Sequence, residues 1–166
     1  YASANYSEWG SAATMLFFML IVVGGCTGST SGGIKIFRFM VLYQTAKTQL
    51  NQLIQPHGVF LPRYNKKPIH GSVSASVLGF FTLFAFSFMV LAITLSAFGM
   101  DFLTSMSASA QTLANVGPGL GKIIGPAGNY SSLHEGAKWA IAFGMIAGRL
   151  ELFTILVLFT ARFWKE

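Results

Sequence analysis

Apolar residues fall into four units along the chain. The first covers residues 11–45 and is broken near its middle, where apolar stretches at 12–23 and 34–43 flank Gly24, Gly25, Cys26, Thr27, Gly28, Ser29, Thr30, Ser31, Gly32 and Gly33. Each flanking stretch is shorter than the roughly 20 residues of a membrane-crossing helix. Glycine costs about 1 kcal/mol per residue in a helix interior relative to alanine, so the pattern predicts a span that leaves the helix at the glycine run. The second unit, 73–98, carries no charge; at ~1.5 Å per residue it reaches about 39 Å, enough to cross with tilt. The third, 102–113, is too short to cross and runs into Ala114, Asn115, Val116, Gly117, Pro118 and Gly119, which must leave the helix. Asp101 stands where its N-cap belongs. The fourth, 137–164, holds Arg149 and Glu151 near its middle.

Composition turns these units into membrane elements. The chain has 166 residues, 53% hydrophobic and 10% charged, against about 25% charged in soluble domains. One cysteine, Cys26, excludes an intrachain disulfide framework. The net charge of +6 does not point to nucleic acid, because the basic residues cluster at span ends and set membrane orientation. Residues 46–70 carry Lys47, Arg63, Lys66 and Lys67 and no acid, Arg162 and Lys165 follow the last span, and residues 1–10 carry Glu8 alone. The positive-inside rule then puts the N-terminus outside, 46–70 and the C-terminus in the cytoplasm, and the short third unit on the outer side as a re-entrant element. With neither an initiator Met nor a basic leading segment, the sequence reads as beginning inside a longer protein. The fold expected is all-α transmembrane: a pore module of span, re-entrant pore helix, filter loop and span, preceded by a broken transmembrane helix.

That layout assigns chemistry to three places. The pore helix would aim its negative dipole end at a cation. Residues 114–117 would return outward with carbonyls toward the pore axis, as carbonyl rings replace the hydration shell of potassium. A surface turn after a short helix reads from the same Gly-Pro-Gly. Irregular backbone at membrane depth survives only when buried in protein or lining a cavity, so the 24–33 run is either a conformationally free loop in an ion path or a close helix crossing at small residues. Arg149 inside a span needs a cavity or a partner: it is a latch donating to carbonyls of the 24–33 loop, or half of an interhelical salt bridge. Lys35 and Arg38 can snorkel to the cytoplasmic surface. A Walker loop at 119–122 fails at Val116 and Ile123, a nucleophile elbow fails at Thr30, and His57, His70 and His134 lack metal spacing. An enzyme is not expected. The remaining alternatives are a broken-helix secondary carrier and a non-conducting membrane subunit.

Three stretches together resemble the TrkH-type potassium uptake proteins of the Trk/Ktr/HKT superfamily: residues 24–35, residues 112–119, and Gly148-Arg149-Leu150-Glu151, in the family's order. The resemblance covers essentially the whole chain. It implies four pore modules in one subunit, of which residues 1–70 supply the second span of the third, with its intramembrane gating loop and a cytoplasmic connection, and residues 71–166 the fourth. It implies a selectivity filter at Ala114, Asn115, Val116 and Gly117, potassium ions held at Asn115 and Val116, and a gate at Gly24–Gly33. It further implies multi-pass placement in a bacterial inner membrane among lipid, a homodimer, and a cytoplasmic nucleotide-binding regulatory subunit of the TrkA type. Residues 46–70 would contact that subunit or basic-attracting lipid. No cofactor is implied, potassium being the transported ion.

Overall fold

The computed structural model of the chain describes residues 5–26, 28–29, 32–58, 60–64, 67–69, 71–121, 123–150, 152–158 and 163–164. Thr27, Thr30 and Ser31 of the glycine run, and Lys66, His70, Lys122, Glu151, Arg162 and Lys165, lie outside the described residues.

Helix formers and breakers set the elements. Helix α1, Ser11–Val23, is almost wholly apolar and stops where the glycines begin. Helix α2, Ile36–Ile54, starts after them and continues beyond the expected boundary at 45. The Gln, Ala, Lys and Leu residues of 44–53 are good helix formers, so the first part of the predicted polar connection, 46–54, is helix. The hydroxyls of Thr45 and Thr48 bond back to the carbonyls of Val41 and Gln44, and Thr45 Oγ1 lies 3.1 Å from Ser74 Oγ. The rest of the connection holds a small antiparallel hairpin, β1 (Arg63–Tyr64) with β2 (Lys67–Pro68), which pairs Arg63 with Pro68. The fold is therefore mostly helical rather than all-α.

Helix α3, Gly71–Ala97, has 27 residues and is about 40 Å long at ~1.5 Å per residue. Val77, Phe80, Phe84, Ala92 and Leu95 form its buried stripe, at helical spacing. Phe86, Met89, Val90 and Ile93 are exposed on the other side of the helix. Helix α4, Phe102–Ala114, opens on the expected cap: Asp101 accepts from the Thr104 N–H at 3.1 Å. It is buried nearly end to end, including Thr104, Ser105, Ser107, Ser109, Gln111 and Thr112. Every core cluster contains a residue of α4: Ala108 packs with Leu95 and Ile141, Leu113 with Phe80 and Phe84, and Ala110 and Ala114 with Ile21.

The fourth apolar unit is not one continuous helix. Helix α5, Glu135–Arg149, ends at a Leu150 cap, and α6 runs Leu152–Leu158. Arg149 is thus in the last turn of α5, where the unit is interrupted. Gly144 and Gly148 weaken this end of the helix by about 1 kcal/mol each. Their use is close approach: a Cβ on Gly144 would meet Thr112 Cγ2 at 2.7 Å, and one on Gly148 would fall on the Leu113 carbonyl. A Gly148→Ala substitution therefore forces α5 off the end of α4. The expected overpacking cost is about 1–3 kcal/mol, read as a lowered thermal unfolding midpoint of the full-length protein in detergent.

Candidate ion-conduction site

The site is built on the end of α4. The last carbonyls of a helix have no partner inside it. Here the Asn115 N–H bonds to the Thr112 carbonyl at 3.3 Å and the Val116 N–H to the Gln111 carbonyl at 3.1 Å. Asn115 is left-handed, at φ 53°. This is the Schellman arrangement with Asn in the place usually taken by Gly. Ala114 belongs to α4 and is fully buried, so the return begins at Asn115, one residue later than expected. The reason is that alanine favours helix most strongly while Asn115 tolerates the left-handed cap. The Asn115 side chain donates to the Met145 carbonyl of α5 at 3.1 Å. Val116 and Gly117 are exposed, and Gly117 has φ 107° with open space where a Cβ would project.

The glycine run meets the same helix end. The Gly33 N–H bonds to the Leu113 carbonyl at 3.3 Å. A Cβ on Gly32 would lie 2.8 Å from that carbonyl oxygen and 3.0 Å from Ala114, and one on Gly24 would lie 2.8 Å from the Gly32 carbonyl oxygen. Small residues therefore serve close packing, but of loop backbone on a helix end rather than of helix on helix. The Lys35 N–H bonds to the Val23 carbonyl at 3.1 Å and the Ile36 N–H to the Gly25 carbonyl at 3.2 Å, tying the loop's two ends together. Gly25, Cys26, Gly28 and Ser29 form its described outer part, with a Ser29 N–H to Cys26 carbonyl bond of 3.1 Å and an exposed Cys26 thiol.

Arg149 comes to this place from α5. It lines a narrow crevice with Gly32, Gly33, Lys35, Leu113 and Gly148. Lys35 holds φ 66°, a conformation a non-glycine residue rarely adopts. Arg38 points inward rather than along the helix to an interface: its guanidinium lies 3.6 Å from the Phe80 ring centroid, and Nη1 donates to the Ile34 carbonyl at 3.3 Å. Cation–π contact of this kind favours arginine over an aromatic face.

Sequence reasoning missed the polar groups around the loop after Gly117. Gln111 Nε2 donates to the Tyr130 hydroxyl at 2.8 Å, and that hydroxyl donates to the Gly117 carbonyl at 3.1 Å. The Tyr6 hydroxyl donates to the Gly119 carbonyl at 2.9 Å. Ser107 Oγ accepts from the Leu120 N–H and donates to the Leu120 carbonyl, both at 3.1 Å. A glutamine in the last turn of a buried helix needs partners, and that was the available signal. Burial raises the Tyr6 phenol above its ordinary pKa. Burial does the same to Tyr130, with the bond from Gln111 acting against it and the nearby Tyr6 adding to it. Among the described residues no group of His, Cys, Asp and Glu could hold a metal; His134 instead caps α5, accepting from the Gly136 N–H at 3.1 Å.

Comparison with known proteins agrees along the whole length. A family model described as TrkH, cation transport protein, matches residues 1–166. The Trk system potassium uptake protein TrkI of Halomonas elongata is 49% identical over 100% of this chain, and the TrkH protein of Escherichia coli K12 is 34% identical over the same extent. The crystal structure of the potassium transporter TrkH from Vibrio parahaemolyticus superimposes with a TM-score of 0.86 at 34% identity, over 99% of this chain. The chain spans 34% of the length of each of these relatives. With its three motif stretches gathered at one helix end and a match from first residue to last, the chain belongs to the TrkH family of cation transport proteins.

Proposed function

We propose that this chain is the filter-and-gate portion of a potassium uptake pore: residues 71–166 as one whole pore module, and residues 1–70 as the second span, loop and cytoplasmic connection of the module before it. The observation that carries the reading is the capped end of α4, where the left-handed Asn115 and Gly117 begin the outward return and the glycine loop packs from the other side onto Leu113. The relatives named as Trk system potassium uptake proteins supply the ion.

The physical steps follow from these parts. A dehydrating potassium ion exchanges water for carbonyl oxygens of the return at Asn115, Val116 and Gly117. The negative end of the α4 dipole favours a cation there. Four such modules are needed to close the ring, so the conducting unit is the full-length protein. Inward of the filter, the loop from Gly24 to Gly33, in contact with Leu113, obstructs the path. Arg149, on the rim of the crevice at Gly32 and Gly33, latches the loop and adds a positive charge that a cation must pass. Moving the loop away opens the path to the cytoplasm. The assembly is a multi-pass protein of the bacterial inner membrane, a homodimer in lipid, with a TrkA-type nucleotide-binding regulator against residues 46–70.

Three substitutions test this in the full-length protein reconstituted in liposomes. Gly117→Ser places an L side chain at φ 107°, a strain of order 1–3 kcal/mol. It should lower discrimination of potassium and rubidium from sodium by about tenfold, the equivalent of about 1.4 kcal/mol; unchanged selectivity would favour a carrier or a non-conducting subunit. Gly32→Ala drives a methyl to 2.8 Å from the Leu113 carbonyl oxygen and should raise resting rubidium flux severalfold by displacing the loop. Arg149→Ala should also raise resting flux, and native gating in both variants would remove the gate.

A further inference from the structure

The groups that hold the outward return of the filter are two tyrosines far apart in the chain. Gly117 and Gly119 each present a carbonyl oxygen that can only accept. The Tyr130 hydroxyl reaches the first at 3.1 Å and the Tyr6 hydroxyl the second at 2.9 Å. With Tyr130 donating to Gly117, its oxygen can still accept, and Gln111 Nε2 donates to it at 2.8 Å. Gln111 is fully buried in α4, and its backbone carbonyl takes the Val116 N–H. One residue of the pore helix therefore grips the return twice, directly through its backbone and through Tyr130 by its amide. Tyr6 is anchored separately: its ring stacks on Phe17 of α1 at 4.5 Å between centroids, so the second grip comes from a segment 113 residues away.

We infer that Tyr130, held by Gln111, and Tyr6 are positioning residues for ion selectivity: Tyr130 sets the orientation of the Gly117 carbonyl in the filter, and Tyr6 holds the return just beyond it through the buried Gly119 carbonyl. This rests on the filter reading above and deepens it. A carbonyl oxygen has two lone pairs. A phenol that occupies one fixes the carbonyl's direction and leaves the other for an ion. Fixed carbonyls cannot close in around a smaller ion, so the clamp favours potassium over sodium by resisting collapse of the ring. Tyrosine suits the task because its ring is rigid and its hydroxyl is a single donor at a set distance. A phenol is already protonated at neutral pH, and burial raises both further above their ordinary value, which keeps them donors.

The test uses the full-length protein in liposomes and compares potassium, rubidium and sodium flux for Tyr130→Phe, Tyr6→Phe and the double variant. Phenylalanine keeps the ring and removes only the hydroxyl. Tyr130→Phe should lower the potassium-to-sodium flux ratio by about two- to tenfold, the range spanned by one hydrogen bond. Tyr6→Phe should lower it less, and the double variant more than either. Membrane abundance and the thermal midpoint should remain near native, which separates positioning from a general loss of structure. A native ratio in Tyr130→Phe, with the ratio lost in Gly117→Ser, overturns the clamp and leaves the filter in place. A native ratio in Gly117→Ser overturns both. Should Tyr130→Phe not reach the membrane, Tyr6→Phe decides by the same ratio: a decrease supports the clamp and a native value overturns it.

Discussion

The structure depends on the unpaired carbonyls at the C-terminal end of α4. A helix of 13 residues is about 20 Å long at ~1.5 Å per residue, too short to cross a membrane and reach water at both ends. Its last turn is buried, so its carbonyls must find partners within the protein. Asn115 and Val116 satisfy two carbonyls by reversing the chain, and Gly33 satisfies a third from another element. The same need extends along the helix: Ser105 and Ser109 turn their hydroxyls onto the carbonyls of Phe102 and Ser105, and Ser107 pairs with the backbone of Leu120. A helix so rich in polar groups stays dry only if covered on every side, and α1, α3 and α5 provide the cover.

Close cover at that end has a steric consequence. Leu113 and its neighbours are approached by backbone from the glycine loop and from α5 at once, and only residues lacking a Cβ fit. Gly32, Gly144 and Gly148 are therefore one packing solution at separate points in the sequence, and Gly24 lets the loop's two ends close beside it. The carbonyls that make the helix end costly to bury are also what would make it attractive to a cation, because a helix C-terminus carries partial negative charge. The return at Asn115, the glycine loop and Arg149 therefore converge on this one helix end rather than along a helix face.

Much of this was legible in the residues. The apolar units at 73–98 and 102–113 appear as α3 and α4 within a few residues, and Asp101 caps α4 as its type and position imply. The interruption of the first unit was evident because ten residues with five glycines cannot continue a helix cheaply. Other features were hidden. The end of α5 at Arg149 was hidden because the residues on both sides of Gly148-Arg149-Leu150-Glu151 are apolar and together long enough to read as one span. The extension of α2 to Ile54 crossed a change from apolar to polar that marks a membrane boundary but not a helix end. Tyr6 and Tyr130 gave no sign of their role, since nothing local in either segment points to a carbonyl in another.

The sequence by itself determined the membrane class, the number and lengths of the apolar units, the broken first span and the motifs that mark the family. These follow from composition and spacing, which act locally or through the solvent. Tertiary structure alone decided that Gly32, Gly33, Gly148 and Arg149 surround the end of α4 and that two distant phenols hold its outward return. Those contacts join residues far apart in the chain, and they are fixed by how carbonyls deprived of water find donors and by how closely backbones approach where no Cβ intervenes.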